Sequence, residues 1–331
     1  MAKLKFGAWI PTYAWSDGEN DSKNVKRIRA SIEKCEDHGI DVWVVDHLLS
    51  APGLYANAWL EPLNALAFAA ALTRKVKIAT GILVLPVRHP VVLAKEISTL
   101  CHLSDNRYMF GVGPGWYARE FEVTGSHIKE RGRRTDEIIE AVTRLLTNPN
   151  ASYQGKYYQF NDVTIEPRPP KMPAIWVSGG SRVPDPNEHD VAVIATTVMD
   201  RIVKAGNWLS RCSGKQEWVK RDWLELQQHA KNMGSDPRKL TFGHGNFIHL
   251  VDTASHEKAV AQSKAPFLRV MGTHRTYEHL QECYMIGSVD RINMRIDDLR
   301  KAGLQYLVLG PVTDDPKQID FMAKKVVKQF T

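Results

Sequence analysis

Eight short runs of apolar, β-branched and aromatic residues recur along this chain with amphipathic stretches between them, and that alternation restricts the fold more than any other feature. The runs are "LKFGAWIP", "DVWVVDH", "VKIATGILVLP", "RYMFGVGPG", "AIWVSGG", "RIVKAGNWL", "LTFGHGNFIHLV" and "LQYLVLGPV". After the first comes "VKRIRASIEKCEDHG", whose Val25, Ile28, Ile32 and Cys35 share a helical face. "PLNALAFAAALTR" follows the second run, and "PVVLAKEISTLCHLS" the third, with Pro90 suited to a helix's first turn. An open doubly wound sheet usually stops near five or six strands, whereas eight parallel strands can close and remove both edges. The expected fold is therefore α/β, a TIM (β/α)8 barrel, with all of 1–331 forming one domain. Two segments exceed the repeat and read as insertions, at about 181–200 after the fifth strand and about 264–286 before the last helix. Such segments serve as lids or pocket walls, or else as plain surface loops or oligomer contacts.

Composition excludes several classes. With 43% hydrophobic and 24% charged residues the chain is globular rather than disordered. Its net charge of +7 is dispersed, without the basic tract or recognition motif of a nucleic-acid binder. Cys35, Cys101, Cys212 and Cys283 stand far apart, which argues against a disulfide framework or a zinc site and for a reducing cytoplasm. No apolar run approaches the roughly 20 residues that span a bilayer. Among the histidines, "HGNFIH" and "HRTYEH" lack metal-ligand spacing, and G-x-S-x-G is missing, so neither a metal site nor a serine hydrolase is expected.

Barrel chemistry sits at the C-terminal ends of the strands. Those ends collect Tyr13, Trp15, Asp46, His47, Thr80, Gly81, Gly113 to Trp116, Ser178 to Arg182, Trp208 and His244, a set rich in aromatics and glycines and poor in paired acids. It suits a flat aromatic cofactor better than a glycosidase cleft. "GVGPGW" lacks the third glycine of the dinucleotide fingerprint, so Gly113 and Gly115 read as points of close backbone approach or as a tight turn. In "VSGGSR", Ser178, Gly179 and Gly180 offer backbone N–H groups and Arg182 a positive charge for a phosphate, against a plain glycine-rich turn. Trp9, Trp15, Trp116 and Trp208 are either pocket walls or core aromatics. Tyr13, Trp208 and His244 are the candidates for substrate contact.

In order, "WVVDHLL", "IATGILVLPVRHPVVLAKEISTLCHLSDNRYMFGVGPGWYAREFEVTG", "ERGRRTDEIIEAVTRLL", "YQGKYYQF", "PRPPKMPAIWVSGG" and "IGSVDRINMRIDDLRKAGLQYLVLG" resemble the bacterial luciferase-like family of flavin-dependent monooxygenases and oxidoreductases. That resemblance implies a barrel holding FMN, or a deazaflavin, over the third strand, with Thr80 and Gly81 against the ring and a cis peptide at Gly81-Ile82. It implies His47 as acid/base, consistent with imidazole titrating near neutrality. Asp46 either tunes His47 and borders the cofactor or faces the barrel wall, since neighbouring strand residues point oppositely. A family arginine that contacts the phosphate aligns with Pro114 here, so another group, Arg182 or Arg134, must take its place.

The expected activity is that of a two-component monooxygenase, in which reduced FMN from a separate NAD(P)H-dependent flavin reductase reacts with dioxygen to oxygenate a small organic substrate. Two rivals are a deazaflavin-dependent hydride-transfer oxidoreductase and a non-catalytic flavin-binding homologue. A homodimer is the family default. Neither nucleic acid nor membrane is an expected partner.

Overall fold

The computed structural model describes residues 3–15, 21–50, 57–181 and 193–331, and for 13–15, 21–23 and 57–58 the backbone alone. Eight parallel strands form its centre: β1 Lys5–Trp9, β2 Asp41–Val44, β3 Ile78–Thr80, β4 Tyr108–Gly113, β5 Ile175–Gly179, β6 Asn207–Ser210, β7 Thr241–Ile248 and β8 Tyr306–Pro311. Each pairs with the next, and β8 returns to β1 from Lys5↔Tyr306 to Ala8↔Leu309, which closes the ring. Around it run α1 Asp21–His38, α2 Pro62–Leu72, α3 Pro90–Leu103, α4 Ala118–Val123, α5 Arg131–Thr147, α6 Thr196–Ala205, α7 Gln216–Asn232, α8 His256–Met271, α9 Tyr277–Cys283 and α10 Val289–Lys301. The expected TIM barrel is the fold observed.

Strand alternation divides the apolar residues into two cores. Outward side chains such as Val42, Ile78, Phe110, Phe242 and Leu307 pack under Ile32, Leu66, Ile97 and Ile296 of the helices. Inward ones, including Trp9, Trp43, Trp176, Phe247 and Tyr306, fill the barrel. The glycines of "LTFGHGNFI" make that filling possible. A Cβ on Gly245 would lie 2.3 Å from the Trp9 ring and one on Gly243 2.6 Å from Trp176, so the indoles occupy space that any other residue would take.

Local structure departs from the sequence reading in three places. "RIVKAGNWL" is not a strand throughout: Arg201 to Ala205 finish α6, Gly206 ends it at φ 81°, and β6 begins at Asn207. "VKIATGILVLP" breaks at a cis Gly81-Ile82 peptide, after which Leu83–Val84 pairs separately with Val112 and Gly113. An antiparallel strand pair, Tyr13–Trp15 with Asn57–Trp59, and an antiparallel hairpin, Ala151–Gln154 with Gln159–Val163, interrupt the repeat where no insertion was read. Of the segments that were read as insertions, 182–192 lies outside the described residues, while the second holds the end of α8, all of α9 and the turn between them.

Candidate active site

At the C-terminal mouth a cavity of about 450 Å³ opens between the ends of the strands and the α8–α9 connection. Volume alone suits a small-molecule site, a class of roughly 300–1,000 Å³. Its walls combine the aromatic Trp9, Trp116, Phe247 and Tyr284 with the basic Arg211 and Arg275.

His47 reaches the cavity because β2 stops at Val44 and the chain turns out of the barrel mouth. Its Nδ1 lies 3.3 Å from Oε1 of Glu120, and the ring meets Trp116 edge-on at 5.6 Å. Glu120 is only 1% exposed, and the same Oε1 accepts the backbone N–H groups of Leu48 at 2.8 Å and Leu49 at 3.2 Å. That oxygen already accepts two N–H groups, and the His47 Nδ1–H is its third donor.

The Asp46 carboxylate borders the cavity but is otherwise engaged. It accepts the Val84 N–H at 2.8 Å and two bonds from Arg88 Nη2, at 3.1 and 3.2 Å. Burial pushes its carboxyl above the usual range, and the Arg88 guanidinium opposes that push. Asp46 thus braces the segment after the cis peptide while remaining part of the cavity lining.

Gly81, Gly115 and Ser178 line the cavity with His47. A Cβ on Gly81 would fall 2.3 Å from Trp9 Nε1 and 2.8 Å from Trp43, so the backbone here must be bare. Thr80, Gly113, Gly179 and Gly180 stand one layer behind the lining. Thr80 is fully buried and donates from Oγ1 to the Gly111 carbonyl at 2.7 Å, which corrects its reading as a ring contact. Gly113 makes room for Ile82 and Gly179 for Val198, while the Gly180 backbone adjoins Asp222 and Arg211. Arg182 lies outside the described residues, and of Tyr13 only the backbone is described, paired with Trp59.

Two substrate candidates prove to face the helices. Trp208 is fully buried, stacks on Phe242 and Trp223, and donates from Nε1 to the Gly179 carbonyl at 2.9 Å. His244 shares the outward face of β7 with Phe242, 2% exposed, and bonds Ser210 and Asn246. The physical reason is the two-residue period: with Gly243 and Gly245 turned inward against indoles, His244 has to turn out. Arg134 also falls away from the cavity, held by Glu130 and stacked on Tyr157 at 4.3 Å.

Sequence reasoning missed Glu120, Arg211 and Arg275. A buried acid in "AREFEV" carries no local signal, whereas "SRCSG" would have been found had β6 been ended at Ser210. Among the described residues no group of three His, Cys, Asp or Glu is placed to hold a metal, and no helix is long and apolar enough to cross a membrane.

These features fit a planar aromatic cofactor: a side-chain-free backbone at Gly81, indole and phenyl walls, and guanidinium groups for an anionic tail. The Trp9 indole N–H, buried beside Gly81, also finds no acceptor among the described residues. A closed barrel with such a cavity at its C-terminal mouth defines a class in which ligands and catalysis sit at that face. Within that class, residues 4–185 match the luciferase-like monooxygenase family, and the chain belongs to it. A curated relative from Amycolatopsis mediterranei, an F420-dependent glucose-6-phosphate dehydrogenase, is 33% identical over 45% of this chain and 46% of its own length. An FMNH(2)-dependent dimethylsulfone monooxygenase from Pseudomonas putida is 29% identical over 78% of this chain and 68% of its own length. The chain spans about half the length of several other curated relatives it matches. A monooxygenase structure from Streptomyces bottropensis superposes with a TM-score of 0.80 at 21% identity, covering 99% of this chain and 100% of that one.

Proposed function

We propose that this chain is the oxygenating component of a two-component system: it takes reduced FMN from a separate NAD(P)H-dependent flavin reductase and oxygenates a small organic substrate. The observation that carries this reading is the convergence of His47, backed by the buried Glu120, and the bare backbone of Gly81 on one aromatic cavity. Bound reduced FMN supplies the electrons that activate dioxygen. Gly81 lets the ring approach the backbone, and Trp9, Phe247 and Trp116 exclude water around it. With Nδ1 held by Glu120, proton exchange with substrate is assigned to Nε2 of His47. Ser178 contributes to holding the cofactor's phosphate end, beside Gly179 and Gly180.

A second reading, hydride transfer on a deazaflavin, is favoured by the 33% identity to the F420-dependent relative and by the His47–Glu120 pair, which suits removal of an alcohol proton. The two separate cleanly by binding. Titration with FMN and with a deazaflavin, each followed by fluorescence, is expected to give tighter binding of reduced FMN and substrate-dependent dioxygen uptake. Deazaflavin binding without FMN binding, and substrate-driven bleaching of the deazaflavin in the absence of dioxygen, would establish the second reading instead. Binding of neither would reject both.

A further inference from the structure

Behind the lining of the cavity, a chain of hydrogen bonds has its direction set from one end. Asn246 accepts the Met285 N–H on Oδ1 at 3.2 Å and donates from Nδ2 to the Cys283 carbonyl at 3.0 Å, so its amide cannot be turned round. The same Nδ2 lies 3.0 Å from Nε2 of His244, which must therefore accept. Burial holds His244 neutral, down at about 3, so its one ring proton sits on Nδ1. That proton points at Ser210 Oγ, 2.6 Å away. Ser210 is thus an acceptor toward His244, and its own hydroxyl hydrogen has no acceptor among the described residues, although the residue is 2% exposed and lines the cavity.

Arg275, in the α8–α9 connection, lines the same cavity. No described residue pairs with its guanidinium. The two carboxylates of the lining are taken, Asp46 by Arg88 and Glu120 by His47 and two backbone N–H groups. Nearby Glu282 is bound to Lys215 at 2.7 Å. Arg211, next to Ser210, also lines the cavity. The Ser210 hydroxyl hydrogen and the Arg275 guanidinium are therefore both left as donors in this cavity.

We propose that Ser210 and Arg275 form an oxyanion subsite, taking a carboxylate, sulfonate or phosphate group carried by the substrate or by the cofactor. As a statement about substrate class it rests on the proposed flavin-dependent reading; as a binding site it stands without it. A Ser hydroxyl with a hydrogen to donate and a guanidinium lining the same cavity are partners that a trigonal or tetrahedral oxyanion accepts from.

Calorimetric titration with inorganic sulfate tests the site without flavin, on wild type, Arg275→Gln, Arg275→Lys and Ser210→Ala, each checked for an unchanged thermal transition. Sulfate is expected to bind wild type, to weaken roughly tenfold or more in Arg275→Gln and Ser210→Ala, and to recover in part in Arg275→Lys. Equal affinity in wild type and Arg275→Gln, or no binding to wild type, would overturn the subsite, and Arg275→Gln decides the matter even if the buried Ser210 variant fails to fold. Parallel titrations with FMN and riboflavin separate the two sources. Loss of the preference for FMN in Arg275→Gln assigns the oxyanion to the cofactor phosphate, and its retention assigns it to substrate. Intact sulfate binding with no flavin binding would reject the flavin reading and leave the subsite standing.

Discussion

At the residue scale the site depends on what Glu120 does for His47. The carboxylate holds one ring nitrogen and two backbone N–H groups at once, so the imidazole is fixed in both tautomer and position before any ligand arrives. Replacing His47 with Ala removes the proposed proton-exchanging group and leaves the cavity otherwise intact. Turnover is expected to fall by roughly 10²- to 10⁴-fold while the flavin dissociation constant changes little. Steady-state kinetics beside a flavin titration checks this, and unchanged turnover would support a non-catalytic homologue. Gly81→Ala is expected to act the other way, on binding. Its Cβ would come 2.3 Å from Trp9, which forces a shift costing about 1–3 kcal/mol, visible as a lower unfolding midpoint and weaker flavin binding. His47 and Gly81 were legible in the sequence because a strand end and a backbone without a side chain both leave local marks. Trp208 and His244 were misread because the inward or outward sense of a strand is not marked by residue type alone. Gly243 and Gly245, placed two apart, were the available clue to it.

At the scale of elements, β7 joins the barrel to α9 through the Asn246–His244–Ser210 chain, and that link predicts a pH dependence. His244 has its ordinary value of 6.5 lowered to about 3, first by burial and then by the nearby Arg295. An unfolded chain binds a proton on this histidine below about 6.5, whereas the folded one does not until about 3. The contribution to stability is therefore complete above the unfolded value and is lost as pH falls through that window, by about 1.4 kcal/mol per pH unit. Urea unfolding at pH 7 and pH 5 should show wild type losing about 2 kcal/mol more than His244→Gln. A gap between the two proteins that stays constant with pH would contradict it. Helix and strand identities were mostly readable from periodicity, but their junctions were not. Arg201 to Ala205 carry the apolar pattern of a strand, and only the left-handed Gly206 separates helix from strand there.

For the whole molecule, the interior packing ties the two halves of the chain together more tightly than the family match alone would suggest. The matched region, residues 4–185, contains β1 to β5 and most of the named site, including His47, Gly81, Glu120 and Ser178. Yet Trp9 packs into the space left by Gly245, Trp43 donates to Tyr306 at 3.1 Å, and Trp176 fits against Gly243, all partners from the second half. Closure was legible from the count of eight runs. These interior pairings were not, because they join residues far apart in sequence that only the closed ring brings together. A fragment ending at residue 185 would expose the interior indoles and leave β5 and β1 as open edges. Each uncovered Trp forfeits burial on the scale of about 3–5 kcal/mol seen for its truncation in cores, which exceeds what a half-barrel can spare from a total of roughly 5–15 kcal/mol. The fragment is expected to show red-shifted tryptophan emission and no cooperative thermal transition, whereas the full chain melts cooperatively. A fragment with a sharp transition and buried indoles would mean that the first five strands form an independent unit, and the site would then have to be regarded as a property of that unit.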